Sequence, residues 1–154
     1  SRQVSGSASR LDAAVQMSFA RAAEIEQTLE IAANSSGDLN GAVYARLFAA
    51  YPETEPLFAL DRDGQVRGAM MAHVFQTILD FIGARHYAHR FIQTEIVTHE
   101  GYNVPRDAFA AFFAMVRDEL RTVCADGWTP AMESAWEQLL NEIGAYVAAA
   151  PKVG

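Results

Sequence analysis

An all-α domain is what this sequence predicts, and three observations carry the expectation. Apolar residues recur at three- and four-residue spacing through nearly the whole chain. No segment holds a clean two-residue alternation flanked by turn residues, so strand signal is almost absent. Clusters of Gly, Pro, Asn, Ser and Asp fall between the periodic stretches, where they divide about six or seven helices. The 154 residues, 51% of them hydrophobic, suffice for one substantial core and not for two.

Each element follows from its own residues. Ser1 to Arg10, rich in Ser and Gly, read as a flexible tail ahead of a single domain spanning residues 11–154. Leu11 to Ala33 carry a stripe of Val15, Phe19, Ala22, Ile25, Leu29 and Ala32, until Asn34-Ser35-Ser36-Gly37 ends the helix. Asp38 is placed to cap a second helix bearing Leu39, Val43, Leu47 and Ala50, with Tyr44, Phe48 and Tyr51 beside them. Pro52 and Pro56 then break the pattern and leave a short helical turn ending in Leu57-Phe58. Asp61-Arg62-Asp63-Gly64 is a loop that has part of a calcium-loop spacing and lacks its later ligands.

The third long helix runs from about Gln65 to Ile82, with Met71, Phe75, Ile78 and Ile82 on one face and Met70, Val74 and Leu79 adjoining. Gly83 closes it. Arg85 to His99 form the next, and Ile92, Ile96 and His99 share a face because seven residues make almost two turns. After a corner at Glu100 to Pro105, a helix from Asp107 to Cys124 carries Phe109, Phe112, Phe113, Val116, Leu120 and Val123. Thr129 caps a last helix with Pro130 in its first turn and Met132, Trp136, Leu139, Leu140, Ile143 and Val147 on its apolar side.

Charge and composition exclude several classes. A net charge of −7, with one lysine and scattered arginines, argues against a nucleic-acid or anionic-membrane surface. Cys124 is the one cysteine, so neither an internal disulfide nor a cysteine-based metal site can form within the chain. A small buried residue rather than a redox switch is the reading for it. No apolar run is long enough for a membrane span and no leader pattern opens the sequence, so a cytoplasmic setting is expected.

Among the four histidines, His86 and His89 sit between Arg85 and Arg90 and read as solvated, while His73 lies off the main face of its helix. His99 ends an apolar face and is followed by a flexible corner. Thr98, by its hydroxyl or backbone, is the expected partner for the second ring nitrogen, a bond that a metal-bound imidazole requires. Taken alone, His99 reads as a structural residue rather than a ligand.

The wider pattern tips that balance. His99, Gly101, Tyr102, Val104 and Phe109, then Trp128-Thr129-Pro130 and Ala135-Trp136, resemble the last third of a bacterial globin. Val43-Tyr44-Ala45-Arg46-Leu47-Phe48, Tyr51-Pro52-Glu53 and Leu57-Phe58 resemble its second and third helices. The likeness runs from about Ile25 to Val147 and is greatest to single-domain bacterial globins and the haem domain of flavohaemoglobins. It implies a globin fold holding haem b. His99 matches the proximal ligand to iron, Phe58 the aromatic residue on the haem face, and Tyr44 the distal tyrosine of many bacterial globins. A buried neutral phenol suits that place, because it donates a hydrogen bond without readily supplying a proton. Tyr44 could equally be a core aromatic whose hydroxyl is satisfied elsewhere. Met71, Phe75, Ile78, Thr98, Tyr102, Val104, Phe109 and Phe112 complete the implied haem wall.

The distal helix departs from the pattern. Counting back from His99 puts Arg67 at the usual distal position with Met71 facing the iron, whereas counting forward from Phe58 favours Gln65 or Val66. Gln65 would donate to a ligand, and Arg67 would reach a propionate or solvent. His73, Met70 and Met71 are further candidates for a sixth ligand. Phe109 stands where flavohaemoglobins carry a tyrosine, so His99 is expected to lack a carboxylate-linked partner and to push electrons weakly. No glycine-rich phosphate loop is present, so any reductase would be an external partner.

Three functions follow: reversible binding of oxygen, CO or NO for storage, transport, delivery or gas sensing; nitric oxide dioxygenation with an external reductase; or a haem-free signalling module. Retention of His99, Phe58 and Tyr44 together disfavours the last, and ligand binding is preferred over enzymatic turnover. The stripe from Leu11 to Ala22 offers a surface either to pack across the domain or to form a homodimer.

Overall fold

Side-chain chemistry sets most helix boundaries in this chain, whose computed structural model describes residues 21–85, 88–102 and 104–150. The described part of α1 covers residues 21–33. The expected tail, the start of the first helix with its dimer face, His86 and the His89 side chain lie outside the described residues. Helix α2 (Leu39–Ala50) is capped as expected: an Asp38 carboxylate oxygen accepts the Gly41 N–H at 3.0 Å. A 3-10 segment, Pro52–Phe58, follows, with Pro52 in its first turn and Pro56, which has no N–H to donate, inside it. Then come α3 (Gln65–Ile82), α4 (Ala88–Gly101), α5 (Arg106–Cys124) and, after a short 3-10 turn, α6 (Pro130–Ala149). No strand occurs among the described residues.

The largest difference from the expected boundaries is at α4. Helix α4 begins at Ala88 rather than Arg85 and runs two residues past His99. Arg85 instead serves the end of α3: its Nε donates to the Phe81 carbonyl at 2.6 Å, its guanidinium lies over the Phe81 ring, and it pairs with Glu142 of α6. A carboxylate oxygen of Asp80 then accepts the Ala88 N–H at 2.7 Å and satisfies one of the free donors at the start of α4.

The core lies where α2, α4, α5 and α6 turn their apolar faces together. Val43, Ile92, Phe113, Val116, Leu120, Trp136 and Ile143 are buried there. Helix α2 packs on α5, and Arg46 pairs with Glu119 at the edge of that contact. Helix α3 packs on α4, which also meets α5 and α6. Thr129 caps α6 through the Met132 N–H at 3.1 Å, as its sequence predicts.

A buried polar pair joins α1 to α6. The Trp136 indole N–H donates to the Thr28 hydroxyl at 3.1 Å, and that hydroxyl donates to the Ile25 carbonyl at 2.6 Å. Both side chains are shielded from water, so neither bond has a solvent substitute. Thr28→Val keeps the shape and strands the indole donor, which should destabilise the fold by about 1–3 kcal/mol. A denaturant titration with unchanged slope and a lowered midpoint checks this.

Candidate functional site

A large apolar cavity of about 480 Å³ opens between α2, α3, α4 and α5, within the size range of small-molecule sites. Helix α2 contributes Tyr44 and Leu47, and the 3-10 segment contributes Thr54, Leu57 and Phe58. Helix α4 supplies Phe91, Glu95, Thr98 and His99. Tyr102 and Val104 come from the corner, and Ala108, Phe109, Phe112 and Phe113 from α5. Of the residues singled out from sequence, Tyr44, Phe58, Thr98, His99, Tyr102, Val104, Phe109 and Phe112 therefore share one wall-lined space.

Helix α3 presents a different face from the expected one. Val66, Met70, His73 and Val74 line the cavity, at the spacing of one helical stripe. Met71 and Ile78 are buried in the core, and Phe75 packs partly buried against it. Gln65 is exposed and does not reach the cavity. Arg67 does not either, because its Nε donates to an Asp61 carboxylate oxygen at 3.0 Å and its Nη2 to the Asp61 carbonyl at 2.9 Å. An offset of one residue turns a side chain by about 100° around the helix axis, which separates the Val66–Met70 stripe from the Arg67–Met71 stripe.

The start of α3 explains how this rotation is held. Gly64 precedes the helix at φ +76°, a conformation natural to glycine, and has no side chain to act as cap. Asp61 does that work from three residues upstream: its two carboxylate oxygens accept the N–H groups of Val66 and Arg67, both at 3.0 Å. Desolvation alone would raise the Asp61 pKa, but these N–H bonds and the Arg67 guanidinium outweigh it and hold the carboxyl below its ordinary range.

Tyr44 is almost fully buried, and its ring packs against Phe58 and Phe112 at centroid separations of 5.4 and 5.2 Å. Its hydroxyl donates to the Arg67 carbonyl at 3.3 Å, longer than an ordinary O–H···O bond. Burial pushes the phenol well above its usual pKa, so it is a neutral donor at physiological pH.

His99 meets a different partner from the expected one. Its Nδ1 lies 2.6 Å from the main-chain carbonyl of Glu95, one turn back on α4. A carbonyl only accepts, so Nδ1 carries the proton and Nε2 keeps the lone pair. The Thr98 hydroxyl instead bonds the Thr94 carbonyl, which corrects the expectation that Thr98 orients the imidazole. Phe109 packs edge-on to the His99 ring at 5.3 Å. The Tyr102 and Val104 N–H groups close the corner onto the His99 carbonyl, and Arg106 ties the adjacent Glu100 to the last carbonyls of α6. Glu95 itself escaped the sequence reading, though a position four residues before His99 shares its helical face. His73 stacks on Phe91 across the α3–α4 contact.

Cys124 is buried at the end of α5, away from the cavity, and burial pushes its thiol pKa up, so it is a poor nucleophile. Among the described residues no group of three His, Cys, Asp or Glu side chains could hold a bare metal ion. The cavity instead offers the imidazoles of His99 and His73 within largely apolar walls, a donor set that would suit a metal carried by an organic cofactor rather than a bare ion.

The Globin family model matches residues 41–147, which take in every cavity wall. The chain is a globin. No curated protein matches it significantly. Membership accounts for the all-α architecture and brings haem and gas binding as the general business of the family. No helix of this globin among the described residues is long and apolar enough to cross a membrane.

The cap at α3 generates a pH-dependent prediction. A depressed folded-state pKa favours folding fully above the unfolded carboxyl value near about 3.9, and the contribution disappears as pH falls through the folded value. Asp61→Asn should therefore be less stable than the parent at about pH 6, with the gap closing as pH falls below the unfolded carboxyl value. Urea midpoints across that range read it, and a gap independent of pH would remove the carboxylate charge as its cause.

Proposed function

We propose that this globin binds haem b with His99 as the protein ligand to its iron and reversibly binds a diatomic gas, oxygen foremost and also CO or NO. The observation that carries this is one apolar cavity that presents both an imidazole with its Nδ1 proton engaged and a neutral buried phenol. Haem, when bound, supplies the iron that takes the gas. The residues do the rest.

His99 offers Nε2 in a fixed tautomer, since the α4 main chain holds the other nitrogen. Phe58, Phe109, Phe112, Met70 and Val74 exclude water with side chains that compete for no hydrogen bond. Tyr44 has a long, weak bond to the Arg67 carbonyl, so its proton is available to a better acceptor in the cavity. Gln65 and Arg67 do not line the cavity and Val66 has no donor, which favours Tyr44 over those three as the distal donor. Oxygen storage, delivery and sensing all use this arrangement.

The decisive measurement is the absorption spectrum of the chain supplied with haem. An intense haem band is expected, with a ferrous spectrum altered by His99→Ala. No band, or a spectrum indifferent to that substitution, would overturn the reading. Tyr44→Phe should speed oxygen dissociation about tenfold, the size of one hydrogen bond of about 1.4 kcal/mol. Stopped-flow ligand exchange measures it, and an unchanged rate would remove Tyr44 from the distal role.

A further inference from the structure

Glu95 is the one acidic side chain among the residues that line the cavity. Its own carbonyl already takes the His99 Nδ1 proton, and its carboxylate Oε2 lies 3.7 Å from the same nitrogen. We propose that the Glu95 carboxylate is a positioning residue for His99, a negative charge held beside the ring nitrogen to strengthen the electron donation of Nε2 to a bound iron. The proposal rests on the haem reading above.

Helix geometry makes the placement durable. Residues four apart lie on one face, so the backbone of α4 brings carbonyl and carboxylate of the same residue to the same imidazole nitrogen. The main-chain bond fixes ring direction and tautomer. The carboxylate, at 3.7 Å, is beyond hydrogen-bond length and acts through its charge, stabilising the positive charge that a bound metal would draw onto the ring through Nε2. Partial exposure of both side chains, 32% for Glu95 and 23% for His99, lets water moderate that effect without cancelling it.

Among the described residues no arginine pairs with Glu95, since each arginine ion pair goes to a different acid. A carboxylate in a largely apolar wall carries a desolvation cost, and among the described residues the basic side chain within ion-pair distance of it is His99. Phe109, whose edge covers the ring, has no hydroxyl to bridge His99 to an acid elsewhere, so the charge comes from within α4. The expectation that His99 lacks a hydrogen-bonded, buried carboxylate is unaffected, because Glu95 is partly exposed and lies 3.7 Å from the ring nitrogen. A negative charge there favours the ferric over the ferrous state.

The test uses the full chain loaded with haem, as parent, Glu95→Gln and Glu95→Asp. Its readouts are the ferric/ferrous midpoint by spectroelectrochemical titration and the iron–histidine stretching band of the ferrous state. Glu95→Gln keeps the main-chain carbonyl and the side-chain shape. It should move the equilibrium about tenfold toward ferrous, about 59 mV for a one-electron couple, and lower the stretching frequency. Glu95→Asp, which withdraws the charge without removing it, should move both readouts the same way by less. An intact haem band with both readouts unmoved in Glu95→Gln overturns the role of Glu95 alone. A parent chain with no haem band overturns the underlying reading. If Glu95→Gln does not fold, Glu95→Asp decides, a shift supporting the proposal and its absence overturning it.

Discussion

The hydrogen bond from His99 Nδ1 to the Glu95 carbonyl is the constraint around which this globin is organised, because it turns a flexible imidazole into a donor of fixed direction. Being internal to α4, it is only as firm as that helix. Much of the surrounding structure holds α4 in place. Asp80 caps its start, the Tyr102 and Val104 N–H groups fold the corner back onto the His99 carbonyl, and Arg106 clamps Glu100 against the end of α6. Phe109 then fills the space beside the ring, leaving few orientations open to it.

The other walls obey a different logic. Tyr44, Phe48, Phe58 and Phe112 form a cluster of tilted and edge-on rings, so the phenol is held by packing rather than by its long hydroxyl bond. The distal role proposed for Tyr44 draws on that rigid placement and weakly used donor. Asp61 sets the rotation of α3 by capping it while drawing Arg67 outward. The same carboxylate thereby keeps a cation out of an apolar cavity and turns Val66 and Met70 into it.

Most elements were legible in the sequence because local chemistry decides them. Asp38, Thr129, Pro52 and Pro130 act within a few residues of where they stand, and the expected bounds of α3 match those observed. The start of α4 was not legible, since Arg85 is recruited by Phe81 and Glu142 and the cap comes from Asp80, eight residues upstream. Thr98 was an attractive partner for His99 by adjacency, yet neighbours in sequence point to different sides of a helix and the residue one turn back wins.

By itself, then, the sequence determined an all-α chain of about six or seven helices, the caps and breaks that bound them, and a histidine at the end of an apolar face. Periodicity and capping are local properties, and a linear reading captures them. Only the tertiary structure decided which stripe of α3 meets the cavity, where Met71, Phe75 and Ile78 belong, and that a carboxylate stands beside His99. Two adjacent stripes of α3 are both apolar, so the choice between them depends on contacts with Asp61 and the core, not on the helix's own composition.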